Sequence, residues 1–181
     1  DINIMLKETK RLTKLIKELM VLAMADSNEL KMHKEKINID DLIKEIITPY
    51  KDFAEMQEKE IILDLNYGKE ANIDRNKINQ LLVIILDNAI KYTAEKDTIT
   101  VKTYSKEGKC VIEVADTGIG ISKEAAKHVF DRFYREDKAR SREKGGTGLG
   151  LSIAHTIVKL HGGNIKITSN EPKGAKVIIK I

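Results

Sequence analysis

A single cysteine, Cys110, excludes an intramolecular disulfide framework and fits a reducing compartment. Set in the β-branched run KCVIEVADTG, it reads as a small buried hydrophobe in a strand rather than a reactive thiol. Long hydrophobic runs are equally scarce. The longest, LMVLAMA and LLVIIL, are far too short to cross a bilayer, no signal peptide is visible, and a soluble chain is expected. Excess charge is small, a formal +4, and no basic patch is interleaved with aromatics, so nucleic acid is not an expected partner. The four histidines lie scattered and form no metal-ligand pattern. Internal repeats and low-complexity tracts are absent. A length of 181 residues allows one domain, or one domain with an appendage. The chain opens on Asp1 with a helical pattern already under way, which reads as a piece of a longer protein.

What is present begins with a heptad. Met5, Leu12 and Leu19 fall seven apart, with Leu15 and Leu22 three residues after the last two and Glu8 breaking the series. Such a seam predicts a long helix that wants a helical partner. A polar junction, DSNELKMHKEK, leads to a second helix with Asp40 or Asp41 near its start and an interruption or kink at Pro49. IILDLN alternates as a strand, and DRNKINQLLVIILDNAIKYT is the strongest amphipathic helix, with Asp74 as its cap. TITVKTYS and KCVIEVADTG predict strands joined by a short turn, and NIKITSN and AKVIIKI a terminal pair around EPKG. This order predicts an α+β fold, with helices layered on a mixed, mostly antiparallel sheet behind one long opening helix.

Four glycines, Gly145, Gly146, Gly148 and Gly150, crowd into the six residues before a helix carrying Leu149, Ile153, Ile157 and Leu160. A glycine-rich approach to a helix amino terminus suits an anion. It is no Walker loop, because Gly150 is followed by Leu151 and Ser152 rather than by lysine and a hydroxyl residue. Nor is it a dinucleotide fingerprint, since charged loop and not strand precedes it. In EVADTGIGIS, Asp116 ends a strand before Gly118 and Gly120. A carboxylate with the Thr117 hydroxyl beside it can read an adenine amine, or Asp116 merely caps a turn. In LDNAIKYT, Asn88, Lys91 and Tyr92 share one helical face, suited either to a phosphate chain with magnesium or to plain solvation.

Together, in this order, these stretches resemble the Bergerat-type ATPase superfamily, and more closely the catalytic and ATP-binding domain of sensor histidine kinases. QLLVIILDNAIKYT is similar to the family's N box, DTGIGI to its first glycine box, FDRFYR to its F box, and GGTGLGLSIAHTIVKLHGG to its second glycine box. The resemblance covers residues 37–181. It implies a two-layer α/β sandwich, the Bergerat fold. Residues 1–28 resemble the second helix of the dimerisation and phosphoacceptor hairpin, with 29–36 as linker. By resemblance, Asp116 reads the adenine amine, Gly118, Gly120 and Ile121 border the base, and Asn88 holds Mg2+. Lys91 and Tyr92 face phosphates or ribose, and Gly146, Thr147, Gly148, Leu149 and Gly150 lie by the triphosphate of ATP. A lid from about Ser122 to Thr147 is anchored by Phe130 and Phe133, and its Arg135, Lys138, Arg140 and Arg142 meet the γ-phosphate or form a solvated charge run. Asn88, Lys91, Arg135 and Arg140 are thus the expected catalytic residues. The implied partners are an upstream hairpin bearing the acceptor histidine, a response regulator receiver domain, and a second copy in the intact protein. The implied parent is anchored in the bacterial membrane with this domain on the cytoplasmic side.

Two departures stand out. Four residues before Asn88 the family usually has asparagine or histidine, and hydrolysing relatives have a water-activating glutamate; here Ile84 can do neither task, which argues against hydrolysis as the main activity. None of His33, His128, His155 and His161 has the neighbours of a phosphoacceptor, so the acceptor is expected elsewhere. The expected activity is ATP-dependent transfer to a histidine. The rivals are a nucleotide-sensing interaction module without transfer and, within the fold, a serine kinase of the anti-sigma type.

Overall fold

The computed structural model describes residues 2–136 and 146–181. The elements are α1 (Ile2–Asp26), β1 (Glu35–Asn38), α2 (Ile39–Glu55), β2 (Glu60–Leu65), β3 (Glu70–Ile73), α3 (Arg75–Tyr92), β4 (Thr98–Lys106), β5 (Lys109–Asp116), α4 (Lys123–His128), α5 (Gly150–Leu160), β6 (Asn164–Ser169) and β7 (Ala175–Lys180). Five strands form one sheet in the order β2-β4-β5-β7-β6, in which only β2 and β4 run parallel. The mixed, mostly antiparallel sheet under helices is the expected two-layer fold.

Period-two patterning sets the sheet's inner face. In β4 the buried Ile99, Val101 and Thr103 alternate with the half-buried Thr98, Thr100 and Lys102. Across the ladder Val101 faces Val114, and Val114 faces Val177, so apolar side chains stack in register. Above them, Ile43 and Ile47 of α2, Leu82 and Leu86 of α3, and Ile153 and Ile157 of α5 close one core. Burying a side chain of this size contributes about 1.5–3 kcal/mol. Cys110 is enclosed in that core, where burial pushes its thiol up to about 12.

Helix starts follow their caps. Asp74 accepts from the Lys77 amide at 3.1 Å, as expected, and Ser122 accepts from Ala125 at 3.0 Å. At α2 the cap is Asn38, which accepts from Asp41 at 3.2 Å. Asp40 instead turns inward, accepting from the Thr103 hydroxyl at 2.6 Å and the Gly68 amide at 2.8 Å. Pro49 lies within α2, which continues through it. The two short strands β1 and β3 pair with each other, taking Glu35 and Lys36 out of the polar junction.

The opening helix differs from its expected seam. Leu22 is 2% exposed and, with Leu15 and Val21, packs on the core where α1 meets α5. These residues find their partner in this chain. Met5, Leu12 and Leu19 stay exposed, and the outward stripe they form continues through Ile16 in alternating steps of four and three residues. At its end, Asp26 accepts from the Arg132 guanidinium at 2.7 Å.

His161 ties α5 to the start of α3. Its Nε2 accepts from the Asp74 amide at 3.1 Å while Nδ1 donates to the Ile157 carbonyl at 2.8 Å, an arrangement that requires neutral imidazole. Burial, aided by the Lys34 ammonium, holds its pKa below the usual range against the opposing pull of Ile157 and Asp74. A depressed folded value means this stabilisation is complete above the unfolded pKa of about 6.5 and is lost as pH falls through the folded value. Melting temperature should therefore drop between pH 7.5 and pH 5.5, and His161→Gln should flatten part of that slope; an unchanged slope would remove His161 as its cause.

Candidate functional site

The last two turns of α3 are the floor on which two loops meet. Asn88, Lys91 and Tyr92 are half-buried on one face, with the Lys91 ammonium 5.3 Å from the centre of the Tyr92 ring. The helix end is satisfied from outside. Lys59 donates to the Ile90 carbonyl at 2.8 Å, and the Thr93 hydroxyl donates to the Ala89 and Ile90 carbonyls at 2.9 and 3.1 Å.

The first loop follows β5. Asp116 is 8% exposed, and its Oδ1 accepts from the Gly118 amide at 2.9 Å and the Ala175 amide at 3.2 Å. Burial raises its carboxyl pKa, and the two amides oppose the rise. Among the described residues no donor reaches Oδ2. Gly118 has no room for a side chain, because a Cβ would stand 2.2 Å from the Tyr92 carbonyl oxygen. That carbonyl accepts from the Ile119 amide at 3.1 Å, stitching the loop to α3. Gly120 takes φ +78° beside Gly174, and Ile121 follows it half-buried.

The second loop precedes α5. A Cβ on Gly146 would meet the Lys91 ammonium at 3.0 Å, and one on Gly150 would meet Ile84 Cγ2 at 3.3 Å. Gly148, at φ +77°, accepts from the Phe133 amide at 2.9 Å. Thr147 Oγ1 accepts from the Leu149 amide at 3.3 Å, and buried Leu149 starts α5 without a side-chain cap. The first-turn amides of α5 therefore keep the anion-binding capacity that helix starts possess. Ile84, Asn88 and Lys91 span one helical face, so both loops reach the same turns of α3.

Some side chains singled out in the sequence have partners elsewhere in the fold. The Thr117 hydroxyl is engaged elsewhere, donating to Asp97 at 2.9 Å and accepting from the Thr98 amide at 3.0 Å. Phe130 packs on the core, 5.6 Å from the His155 ring, but the Phe133 side chain is 58% exposed; only its backbone, at φ +64°, holds Gly148. Of these two phenylalanines only Phe130 packs its side chain on the core. Arg135 is half-buried, and one of its guanidinium nitrogens is buried without a hydrogen-bond partner among the described residues. Lys138, Arg140, Arg142 and Gly145 lie outside the described residues.

Sequence reasoning missed the far side of the site. EPKG was read only as a turn, yet Gly174 sits at φ +108° with the Asp116 carbonyl oxygen 1.8 Å from where a Cβ would be. Asn170 donates to that same carbonyl at 2.8 Å. The only local signal was a glycine placed directly before a strand.

Three of the four histidines have side-chain contacts, and the fourth, His33, is held through its backbone. His33 donates its amide to Asp74, His128 pairs with Asp131 and Glu124, His155 packs on Phe130, and His161 bridges α5 and α3.

The model of the family described as histidine kinase-, DNA gyrase B- and HSP90-like ATPase matches residues 73–181. The signal transduction histidine-protein kinase ArlS of Staphylococcus aureus is 40% identical over 174 residues, 96% of this chain and 38% of ArlS. Among solved structures, the catalytic domain of histidine kinase ThkA is 26% identical with a TM-score of 0.73, covering 83% of this chain and 95% of that one. ThkA in complex with the response regulator TrrA is 24% identical with a TM-score of 0.78, covering 99% of this chain and 49% of that one, a likeness of fold. The chain belongs to the histidine kinase-, DNA gyrase B- and HSP90-like ATPase family, as an ATP-binding catalytic domain of the histidine kinase kind. It spans well under half of the curated relatives it matches, 38% of ArlS.

Crowding at Gly174 generates a prediction. Gly174→Ala must move the Asp116 carbonyl and strain the backbone, and should cost at least about 3 kcal/mol. Gly162→Ala, at φ +74° but with nothing within 4 Å of the added Cβ, should cost about 1–2 kcal/mol from strain alone. Chemical denaturation of both variants checks the difference.

Proposed function

We propose that this chain binds ATP between the α3 face and the two glycine loops and passes the γ-phosphoryl group to a histidine on a hairpin. Residues 1–28 would be that hairpin's second helix, 29–36 a linker, and 37–181 the ATP-binding domain. The observation that carries the reading is Asp116, whose Oδ1 is held by two backbone amides while Oδ2 is left for a ligand donor. An adenine amine is such a donor, and Gly118, Gly120 and Ile121 would border the base. Lys91 and Tyr92 would face the phosphates or ribose. Gly146, Thr147, Gly148, Leu149 and Gly150 would line the triphosphate, with Phe133 holding Gly148. Arg135, one of whose guanidinium nitrogens has no hydrogen-bond partner among the described residues, and Arg140 would supply charge to the γ-phosphate.

Asn88 would hold magnesium through its amide oxygen. The described residues contain no cluster of three His, Cys, Asp or Glu suited to a metal, so the donor set fits an ion held chiefly by phosphate oxygens and water. When bound, the ion neutralises phosphate charge. Transfer needs positioning more than covalent help. A neutral imidazole nitrogen attacks the γ-phosphorus in line, the bond to the β–γ bridging oxygen breaks, and ADP leaves with that electron pair. Ile84, against Gly150, offers no base to a competing water.

The likeness to ArlS and to the ThkA–TrrA complex supports relay to a response regulator aspartate. The exposed α1 stripe supports a helical partner, and with it a homodimer of hairpins. Membrane anchorage of the whole protein, with this domain on the cytoplasmic side, rests on family resemblance. Among the described residues no helix is long and apolar enough to cross a membrane.

Calorimetric titration with ATP and ADP, with and without magnesium, tests the reading. Asp116→Ala should weaken both nucleotides at least about tenfold, as expected for loss of a charged hydrogen bond. Asn88→Ala should abolish the magnesium dependence and the transfer of labelled phosphate to an added upstream hairpin. Unchanged binding in Asp116→Ala would overturn the adenine assignment, and unchanged magnesium dependence the role of Asn88.

A further inference from the structure

Asp97 lies in the turn between α3 and β4, outside the residues assigned to the ligand, and reaches the Asp116 loop only through the Thr117 hydroxyl. It is nonetheless buried, at 8% exposure, and joins three segments that border the Asp116 loop. Its Oδ2 accepts from the Ala94 amide at 2.8 Å, fixing the chain as it leaves α3. Its Oδ1 accepts from the Thr117 hydroxyl at 2.9 Å, the residue directly after Asp116. The same oxygen pairs at 3.3 Å with Lys173, directly before Gly174 and Ala175. Burial opposes the charge on Asp97, yet the Ala94 amide, the Thr117 hydroxyl and the Lys173 ammonium together hold it below the usual carboxylate range.

We propose that Asp97 is a positioning residue for adenine selection: through Ala94, Thr117 and Lys173 it fixes the three segments that aim the Asp116 carboxylate. Each link leads to a contact of the reading site. The α3 exit supplies the Tyr92 carbonyl that accepts from Ile119 and stands where a Gly118 side chain would go. Thr117 sets the course of the chain from Asp116 to Gly118, whose amide holds Oδ1. The Lys173 turn presents the Ala175 amide, the second donor to Oδ1. Lys173 is 60% exposed, so its link is the weakest of the three, and the Ala94 and Thr117 bonds do most of the holding. With Oδ1 committed to two backbone amides, small movements of these segments rotate Oδ2, and hydrogen bonds weaken steeply with angle.

The inference rests on the reading of Asp116 as the adenine contact, and the experiment separates the two. Inosine diphosphate carries an oxo acceptor where ADP carries the amine, so the ratio of their dissociation constants reports the aim of the carboxylate and not the phosphate contacts. Calorimetry on this chain, with melting temperature alongside, should show ADP preferred by about tenfold or more. Asp97→Ala and Thr117→Val should each cut that preference at least about threefold, and Thr117→Ser, which keeps the hydroxyl, should restore it. Thr117→Val is nearly isosteric and carries the test if Asp97→Ala does not fold. A lowered melting temperature with a native ratio in both variants would make Asp97 a stability residue and overturn the proposal. Asp116→Asn is the control: loss of preference there beside a native ratio in Asp97→Ala overturns positioning alone, whereas a native ratio in Asp116→Asn overturns the adenine reading and the inference with it.

Discussion

Two backbone amides, from Gly118 and Ala175, converge on one oxygen of a buried carboxylate, and the geometry of the cleft depends on that junction. Burial alone would favour the neutral acid at Asp116, and donors to the anion work against it. One of those donors lies 2 residues away and the other 59. Part of the stabilisation of charge at this position is therefore a tertiary property, supplied when β5 and β7 pair in the register that places Ala115 opposite Lys176. The glycines follow from the same constraint. At Gly118 and Gly174 another backbone passes too close for a Cβ, so that the carboxylate can be enclosed on both sides.

Two helix ends with opposite fields open on this cleft. The carboxyl end of α3 is quieted by Lys59 and the Thr93 hydroxyl, which take up its final carbonyls. Among the described residues, no side chain caps the start of α5. The field in the cleft is thus biased toward anions by backbone as much as by side chains. Lys91, beside Gly146, adds to that bias from the floor.

The parts legible in the sequence were those with a long internal period. Eighteen residues of amphipathic pattern in α3, the alternation along β4 and the β-branched run of β5 leave little room for another reading. Each four-residue strand of the small ladder is too short to show a period, and β1 and β3 went unseen. In α1 the heptad was real but assigned to one side; Leu15 and Leu22 lie only a fraction of a turn from Leu12 and Leu19, and tertiary contact decides which set is covered. Asp116 and its glycines were visible as a motif. Gly174, Asn170 and Ala175 were not, because their role is to meet a residue more than fifty positions away. The inward turn of Asp40 and the diversion of Thr117 to Asp97 have the same origin, since each polar side chain chose a partner on another strand or loop over local capping or solvent.

The way α1 is seated has a mechanical consequence. Leu22 is enclosed and Asp26 is pinned to Arg132, but from Ile2 to Lys14 every residue of the helix is exposed. A helix of 25 residues is a rod about 37 Å long at 1.5 Å per residue. Held near one end among the described residues, it can act as a lever. A tilt of about 10° at the seat displaces the far end by about 6 Å over that arm, and a push on the far end returns to the seat as a small rotation under several-fold greater force. The residue at the fulcrum, Arg132, lies beside Phe133, whose amide holds Gly148 of the glycine loop.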